Sequence, residues 1–81
     1  MPEDNQYIEV DARRLLCPMP VIRLQDAINE VAIGDLVKIT CTDPGVKNDI
    51  PAWCNINKHM LLSMQDQEYE IIITVRKEND D

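Results

Sequence analysis

The 81-residue chain is long enough for one domain and too short for a large core. Fifteen acidic and eight basic residues leave a net charge of −7, which repels phosphate backbones and argues against direct nucleic-acid binding. No apolar run approaches the ~20 residues that a membrane-spanning helix needs. The first six residues lack the features of a signal peptide, and three irregularly spaced cysteines do not suggest a disulfide framework. These properties predict a cytoplasmic protein without membrane insertion.

The first half of the chain predicts a strand, a helix and a second strand. Residues 1–6 are acidic and polar, and we expect a disordered tail. Tyr7–Asp11 alternates between apolar and polar residues, as does Leu36–Cys41, and both patterns predict strands. Between them, apolar residues recur at helical spacing from Pro18 to about Val31. A strand, helix and strand in this order predict a right-handed βαβ unit with parallel strands.

The second half predicts one more helix and a hairpin. The helix lies somewhere within Val46–Asn57, either with Asp49 as its N-cap and Pro51 in the first turn or with an earlier turn that begins at Val46. Its expected position follows a turn signal, Thr42-Asp43-Pro44-Gly45. Two further strands are predicted over 60–64 and 69–76. The polar link between them, 65–68, is short enough for a hairpin.

The predicted order β-α-β-α-β-β belongs to the α+β class. Alternating strands offer one continuous apolar face, so both helices must cover that same face. We therefore expect a two-layer α/β sandwich in which two helices lie on one side of a four-stranded mixed sheet. The single domain should span residues 7–76, between the tail 1–6 and an acidic C-terminal tail 77–81. The other sheet face should stay open and carry Glu9, Lys38, Thr40, Glu70 and Thr74.

Cys17 is the strongest candidate for chemistry. It directly precedes a helix start, where free N–H groups and the positive end of the helix dipole favour an anion. Nearby cations and helix N-termini lower a thiol pKa and favour the reactive thiolate. The alternative from the residues alone is a buried structural cysteine. Five neighbours are expected to support a reactive site: Arg13, Arg14, Pro18, Pro20 and Arg23.

The other candidate ligands and thiols have simpler interpretations. Cys41 ends a strand on its inward side and is expected in the core, whereas Cys54 is either core or a possible secondary thiol. His59 follows the second helix, where we expect a hydrogen-bonded junction residue. Without a Cys-x-x-Cys pair or a second histidine, we expect no metal site, and no motif indicates a cofactor.

Three blocks of the chain resemble the TusA/SirA family of small sulfur-carrier proteins. The first, Val10–Pro20, contains the Cys-Pro-x-Pro motif a few residues after an Asp-Ala pair. The second runs from Thr42 to Cys54 and resembles an Asp-Pro turn followed by an Asp-Ile-Pro-aromatic-Cys helix. The third, His59–Ser63, is similar to the family's His-x-Leu-Leu strand entry. Arg14 stands where the family very often has glycine.

The resemblance implies the same β-α-β-α-β-β sandwich and a sulfurtransferase-type carrier that works with partner enzymes. Cys17 would accept persulfide sulfur from a donor such as a cysteine desulfurase and pass it to a downstream acceptor protein. In related proteins the sulfur goes to tRNA 2-thiouridine synthesis, molybdenum cofactor maturation or sulfur oxidation. We expect the carrier to be a monomer.

Two alternatives come from other functional classes. Cys17 could act in a thiol-redox module with Cys54 or Cys41 as resolving thiol, although no Cys-x-x-Cys is present. Alternatively, the open sheet face could be the working surface of a protein-interaction or regulatory domain. A pure interaction domain has no need of a thiol in the Cys-Pro-Met-Pro context, which weakens that interpretation.

Overall fold

The computed structural model describes residues 7–79, which form six elements in the predicted order β-α-β-α-β-β. Residues 1–6, for which the sequence predicts a tail, lie outside the described residues. The α+β class and the four-stranded mixed sheet with two helices are confirmed. The elements are β1 (Tyr7–Ala12), α1 (Met19–Asn29), β2 (Leu36–Cys41), α2 (Val46–Asn57), β3 (Met60–Gln67) and β4 (Glu70–Arg76).

The sheet has the order β1-β2-β4-β3. β1 and β2 are parallel, with Tyr7 opposite Leu36 and Ala12 opposite Cys41, whereas β4 is antiparallel to both of its neighbours. The predicted βαβ unit is therefore confirmed, since α1 connects two adjacent parallel strands. Because β1 and β2 run in the same direction, the loops that follow them leave the sheet at the same edge.

One hydrophobic core lies between the helices and the sheet. Alternate residues of β2 and β4 are buried, as the period-two pattern predicts. α1 buries Pro20, Leu24 and Ile28, and α2 buries Val46, Ile50 and Cys54. The helices also meet through a hydrogen bond in which Trp53 Nε1 donates to Gln25 Oε1 at 3.1 Å. This hydrogen bond and the shared core fix the two helices relative to each other.

α2 begins at Val46, so the earlier of the two predicted starts is correct and Asp49 is not the N-cap. Gly45 occupies the N-cap position, and Val46 N donates to Asp43 O at 3.1 Å, so the chain already turns before Asp49. Asp49 lies in the first turn of α2, and Pro51 lies inside the helix. Pro51 has no N–H, so this helix lacks one backbone hydrogen bond there.

The β3–β4 hairpin is confirmed, but its link is shorter than predicted. β3 continues through Gln67, which pairs with Glu70, and leaves only Glu68 and Tyr69 in the turn. Glu68 has φ 39°, a positive value that two-residue hairpin turns require. The polar residues 65–67 are exposed on an edge strand, so their backbone can pair without burying their side chains.

The packed chain extends beyond β4 to at least Asn79. Lys77 is only 5% exposed, and its Nζ donates to the carbonyl of Val31 at 2.7 Å. Asn79 Nδ2 donates to the carbonyl of Asn57 at 2.7 Å. Residues 77–79, which the sequence predicts as the start of a C-terminal tail, therefore contact the fold. Residues 80–81 lie outside the described residues.

Candidate functional site

Cys17 lies in the loop between β1 and α1 and is partly buried. It precedes Pro18, the N-cap of α1, and the Cys17–Pro18 peptide bond is cis. Pro20 lies in the first turn of α1 and is buried, where its missing N–H costs no helical hydrogen bond. The sequence therefore placed the thiol correctly, just ahead of the first helix.

The thiol also lies against the N-terminus of the second helix. Cys17 N donates to Asp43 Oδ2 at 2.9 Å, and Gly45 N donates to Asp43 Oδ1 at 3.1 Å. A Cβ atom at Gly45 would lie 3.4 Å from Cys17 Sγ, so the sulfur is in close contact with the N-cap of α2. Two helix N-termini thus converge on one sulfur atom.

Two carboxylates dominate the electrostatics of this thiol. Hydrogen bonding to Asp49, burial, and hydrogen bonding to Asp43 together raise the pKa of Cys17 to about 12. Conversely, the N–H groups of Cys17 and Gly45 lower the pKa of Asp43, so its carboxylate stays charged. These carboxylates therefore act against the lowered thiol pKa that the sequence predicts.

The raised pKa of Cys17 follows from the relative strengths of the helix-dipole and charge–charge interactions. A helix N-terminus stabilises an exposed anion by about 0.3–1 kcal/mol. Two like charges 4 Å apart near a protein surface repel each other by about 4 kcal/mol. The stabilisation of a Cys17 thiolate by two helix N-termini is therefore smaller than its destabilisation by two adjacent carboxylates.

The arginines expected to support the site lie elsewhere or face solvent. Arg13 Nε lies 2.9 Å from Asp11 Oδ1, and Arg13 Nη1 lies 3.6 Å from Glu70 Oε2. Hydrogen bonds from Arg13 lower the pKa of Asp11 to about 2. Arg14 lines the same cleft of about 440 Å³ as Arg13, and Arg23 is exposed on α1. The acidic residues rather than these cations determine the charge at the sulfur.

The other two cysteines belong to the core. Cys41 is 0% exposed and Cys54 is 2% exposed, and both are free thiols. Burial raises the pKa of each to about 11. Neither thiol is presented to a partner in this structure, which counts against Cys54 as a secondary thiol.

His59 is a junction residue between α2 and β3, as predicted. Its ring stacks on Trp53 with centroids 5.3 Å apart, and its Nδ1 accepts a hydrogen bond from Glu78 N at 3.1 Å. Burial and the charge of Lys77 lower the pKa of His59, which favours the neutral imidazole. Within residues 7–79, no group of three or more His, Cys, Asp or Glu side chains could hold a metal ion. No helix in that range is long and apolar enough to cross a membrane.

Asp43 and Asp49 are the site residues that sequence reasoning missed. The sequence predicted a turn around Asp43 and a possible cap at Asp49, without linking either residue to Cys17. The parallel pairing of β1 and β2 contained the necessary signal, because the loops after two adjacent parallel strands meet at one edge of the sheet. The loop that carries Cys17 and the loop that carries Asp43 are those two loops.

Comparisons with known proteins agree on one family. A family model described as "Sulfurtransferase TusA" matches residues 8–77. The sulfur carrier protein TusA of Pseudomonas putida (strain F1) is 38% identical over 71 residues, which cover 88% of this chain and 89% of the relative. The YrkI protein of Bacillus subtilis is 41% identical over 58 residues, or 72% of this chain and 77% of the relative.

A solved structure shares the fold. A SirA-like protein from Desulfitobacterium hafniense matches with a TM-score of 0.77 over 89% of this chain and 99% of that chain. Its sequence identity is 20%, so the match bears on the fold alone.

Proposed function

We propose that this chain, which belongs to the TusA family of sulfur carriers, carries sulfur as a persulfide on Cys17. The observation that supports Cys17 most directly is its exposure, because Cys41 and Cys54 are buried and Cys17 is partly accessible. Its position in a loop suits entry into the active site of another protein.

The proposed transfer is a thiol–persulfide exchange. The Cys17 thiolate attacks the terminal sulfur of a donor persulfide, a new S–S bond forms, and the donor's S–S bond breaks with its thiolate as leaving group. An acceptor thiolate later attacks the outer sulfur of the Cys17 persulfide and releases the Cys17 thiolate. The transferred sulfur keeps its oxidation level, so the exchange consumes no oxidant or reductant.

The proposal requires two kinds of protein partner. The donor is a cysteine desulfurase or another protein that forms a persulfide. The acceptor belongs to tRNA 2-thiouridine synthesis, molybdenum cofactor maturation or sulfur oxidation, the routes implied by the family resemblance. We further propose that the carrier is a monomer and acts in the cytoplasm, since free cysteines are typical of a reducing compartment.

Sulfur loading can be tested by intact mass spectrometry. The reduced chain is incubated with a cysteine desulfurase and cysteine, and its mass is measured without reductant. We expect the chain to gain the mass of one sulfur atom and to lose it on reduction. Cys17→Ser should abolish the gain, whereas Cys41→Ser and Cys54→Ser should retain it.

The same measurement separates the alternatives. An internal disulfide between Cys17 and Cys54 or Cys41 would instead indicate the thiol-redox module. If no gain occurs with a desulfurase, a rhodanese or polysulfide as donor, the carrier function is wrong. Loading that persists in Cys17→Ser would assign the sulfur to a different thiol.

A further inference from the structure

The acidic surroundings of Cys17 are unusual for a thiol that must act as a nucleophile. Asp43 comes from the β2–α2 loop and accepts a hydrogen bond from Cys17 N, and Asp49 comes from the first turn of α2, the helix whose N-cap lies against the sulfur. Both carboxylates raise the pKa of the Cys17 thiol. Asp43 is held by Cys17 N at 2.9 Å and Gly45 N at 3.1 Å, so it cannot move away without breaking two hydrogen bonds. The thiol therefore has a fixed negative environment.

Two basic side chains near this site, those of Arg13 and Lys47, have acidic partners of their own. Arg13 in the β1–α1 loop pairs with Asp11 and Glu70. Lys47 in the first turn of α2 pairs with Asp66 on β3. These two cations are thus paired with other carboxylates, and no ion pair within residues 7–79 joins a basic side chain to Asp43 or Asp49. A protein that docks on this loop can therefore supply the positive charge.

We propose that Asp43 and Asp49 are specificity-determining residues of the sulfur-transfer step, and that they select a partner with a cationic side chain next to its reacting sulfur. This inference rests on the proposed function. An arginine or lysine of the partner would pair with the carboxylates and remove their opposition to the thiolate. A partner with an acidic side chain at that position would be repelled.

The partner's cation acts before any S–S bond forms or breaks. When the cation docks, the Cys17 thiol releases its proton to solvent, and the thiolate attacks the donor's terminal sulfur. The donor's S–S bond breaks, and its electron pair leaves on the donor thiolate. Without the cation, Cys17 stays a protonated thiol, which is a poor nucleophile. The free carrier is then protected from unselective disulfide exchange.

Small disulfides of different charge test this selectivity without any partner protein. The full chain is mixed with cystamine (cationic), 2-hydroxyethyl disulfide (neutral) or dithiodiglycolate (anionic) near neutral pH, and formation of the mixed disulfide is followed by intact mass. Each rate is divided by the rate of 2-mercaptoethanol with the same reagent. We expect cystamine to react roughly tenfold faster than dithiodiglycolate at low salt, because the carboxylates attract the cationic disulfide and repel the anionic one. The preference should weaken at high salt.

Asp49→Asn is the informative variant, because it removes one charge outside the hydrogen bonds that shape the Asp43 loop. It should reduce the preference for cystamine several-fold and accelerate reaction with the neutral disulfide, since more Cys17 is then thiolate. Asp43→Asn should act in the same direction if its circular dichroism matches that of the parent chain. Asp26→Asn removes an exposed carboxylate farther along α1 and should change neither rate.

Equal normalised rates for the three disulfides would overturn the inference, and so would an unchanged preference in Asp49→Asn. The result is distinguishable from failure of the carrier function, which is measured separately by desulfurase loading. If selectivity is observed but no donor loads Cys17, the proposed function is wrong, and with it the assignment of these residues to sulfur transfer. If loading succeeds without selectivity, only the present inference is wrong.

Discussion

Arg14 adopts a backbone conformation that suits glycine better than arginine. Its φ is 68°, in the left-handed region, and its N–H donates to Thr42 Oγ1 at 2.8 Å. That hydrogen bond ties the loop after β1 to the loop after β2 and holds the residue in place. The sequence resemblance identified this position as one where the family very often has glycine, and the positive φ supplies a physical reason for that preference.

We expect Arg14→Gly to stabilise the fold by about 0.5–1 kcal/mol. Left-handed backbone costs a residue with a side chain about 1–2 kcal/mol, and the greater freedom of glycine in the unfolded chain offsets about half of it. The measurement is the midpoint of urea unfolding together with its slope. Arg14→Ala is the matched control, because it removes the same side chain but keeps the strained conformation. If the two variants are equally stable, strain at Arg14 is not the cause.

At the scale of elements, the junction between α2 and β3 depends on a neutral histidine. His59 stacks on Trp53, and Trp53 in turn donates to Gln25 on α1. Glu78 N donates to His59 Nδ1, which ties the segment after β4 to this junction. One imidazole therefore connects three parts of the chain, and protonation of Nδ1 would remove its acceptor for Glu78.

This arrangement predicts a pH-dependent stability. Burial and the charge of Lys77 lower the folded-state pKa of His59, so the unfolded chain binds the proton more readily. The contribution is present above the unfolded pKa of about 6.5 and is lost as the pH falls through the folded pKa. Urea unfolding at about pH 7.5 and about pH 5.5 spans this window.

His59→Asn is the comparison variant, because the Asn Oδ1 can still accept the hydrogen bond from Glu78 N and has no titratable group. We expect the parent chain to lose more stability than the variant between the two pH values. The carboxyls of Asp11 and Asp43 have lowered pKa values and titrate in more acidic solution. An equal loss in both proteins would show that His59 is not the titrating group.

At the scale of the whole molecule, β2 is the strand on which both layers depend. It pairs with β1 on one side and with β4 on the other, and its inward residues Val37, Ile39 and Cys41 are 0% exposed. At about 0.05–0.15 kcal/mol per residue, a domain of this size has a total stability of about 4–12 kcal/mol. A single destabilising substitution in β2 can therefore remove much of the free energy of unfolding.

Ile39→Ala should cost about 2–5 kcal/mol, whereas Ile39→Val should cost about 0.5–1.5 kcal/mol. The larger truncation leaves a cavity at the centre of the sheet, and the smaller one removes a single methylene. Thr40→Ala, on the opposite face of the same strand, should cost about 1 kcal/mol or less. Thermal and urea unfolding of the three variants measure these differences. A cost for Ile39→Ala as small as that for Thr40→Ala would contradict the central role of this side of β2.

The elements and their order follow from local patterns in the amino-acid sequence. Period-two alternation in Leu36–Cys41 and helical spacing after Pro18 are local signals, and they reflect which side of each element must leave water. The position of Cys17 ahead of the first helix could also be predicted, because the preference for proline in the first turn of a helix depends only on local backbone geometry. The sequence left two starts open for α2 and ended β3 too early, since polar residues there satisfy their backbone by pairing and turning in ways that side-chain patterns do not reveal.

The surroundings of the thiol, by contrast, depend on how distant parts of the chain pack together. Arg13 is close to Cys17 in sequence but is turned to Asp11 and Glu70, whereas Asp43 is 26 residues away and hydrogen-bonds Cys17 N. Electrostatic effects fall off with distance in space rather than along the chain. The parallel pairing of β1 and β2 brings the two loops together, and the thiol expected among cations instead has its pKa raised by two carboxylates, Asp49 and Asp43.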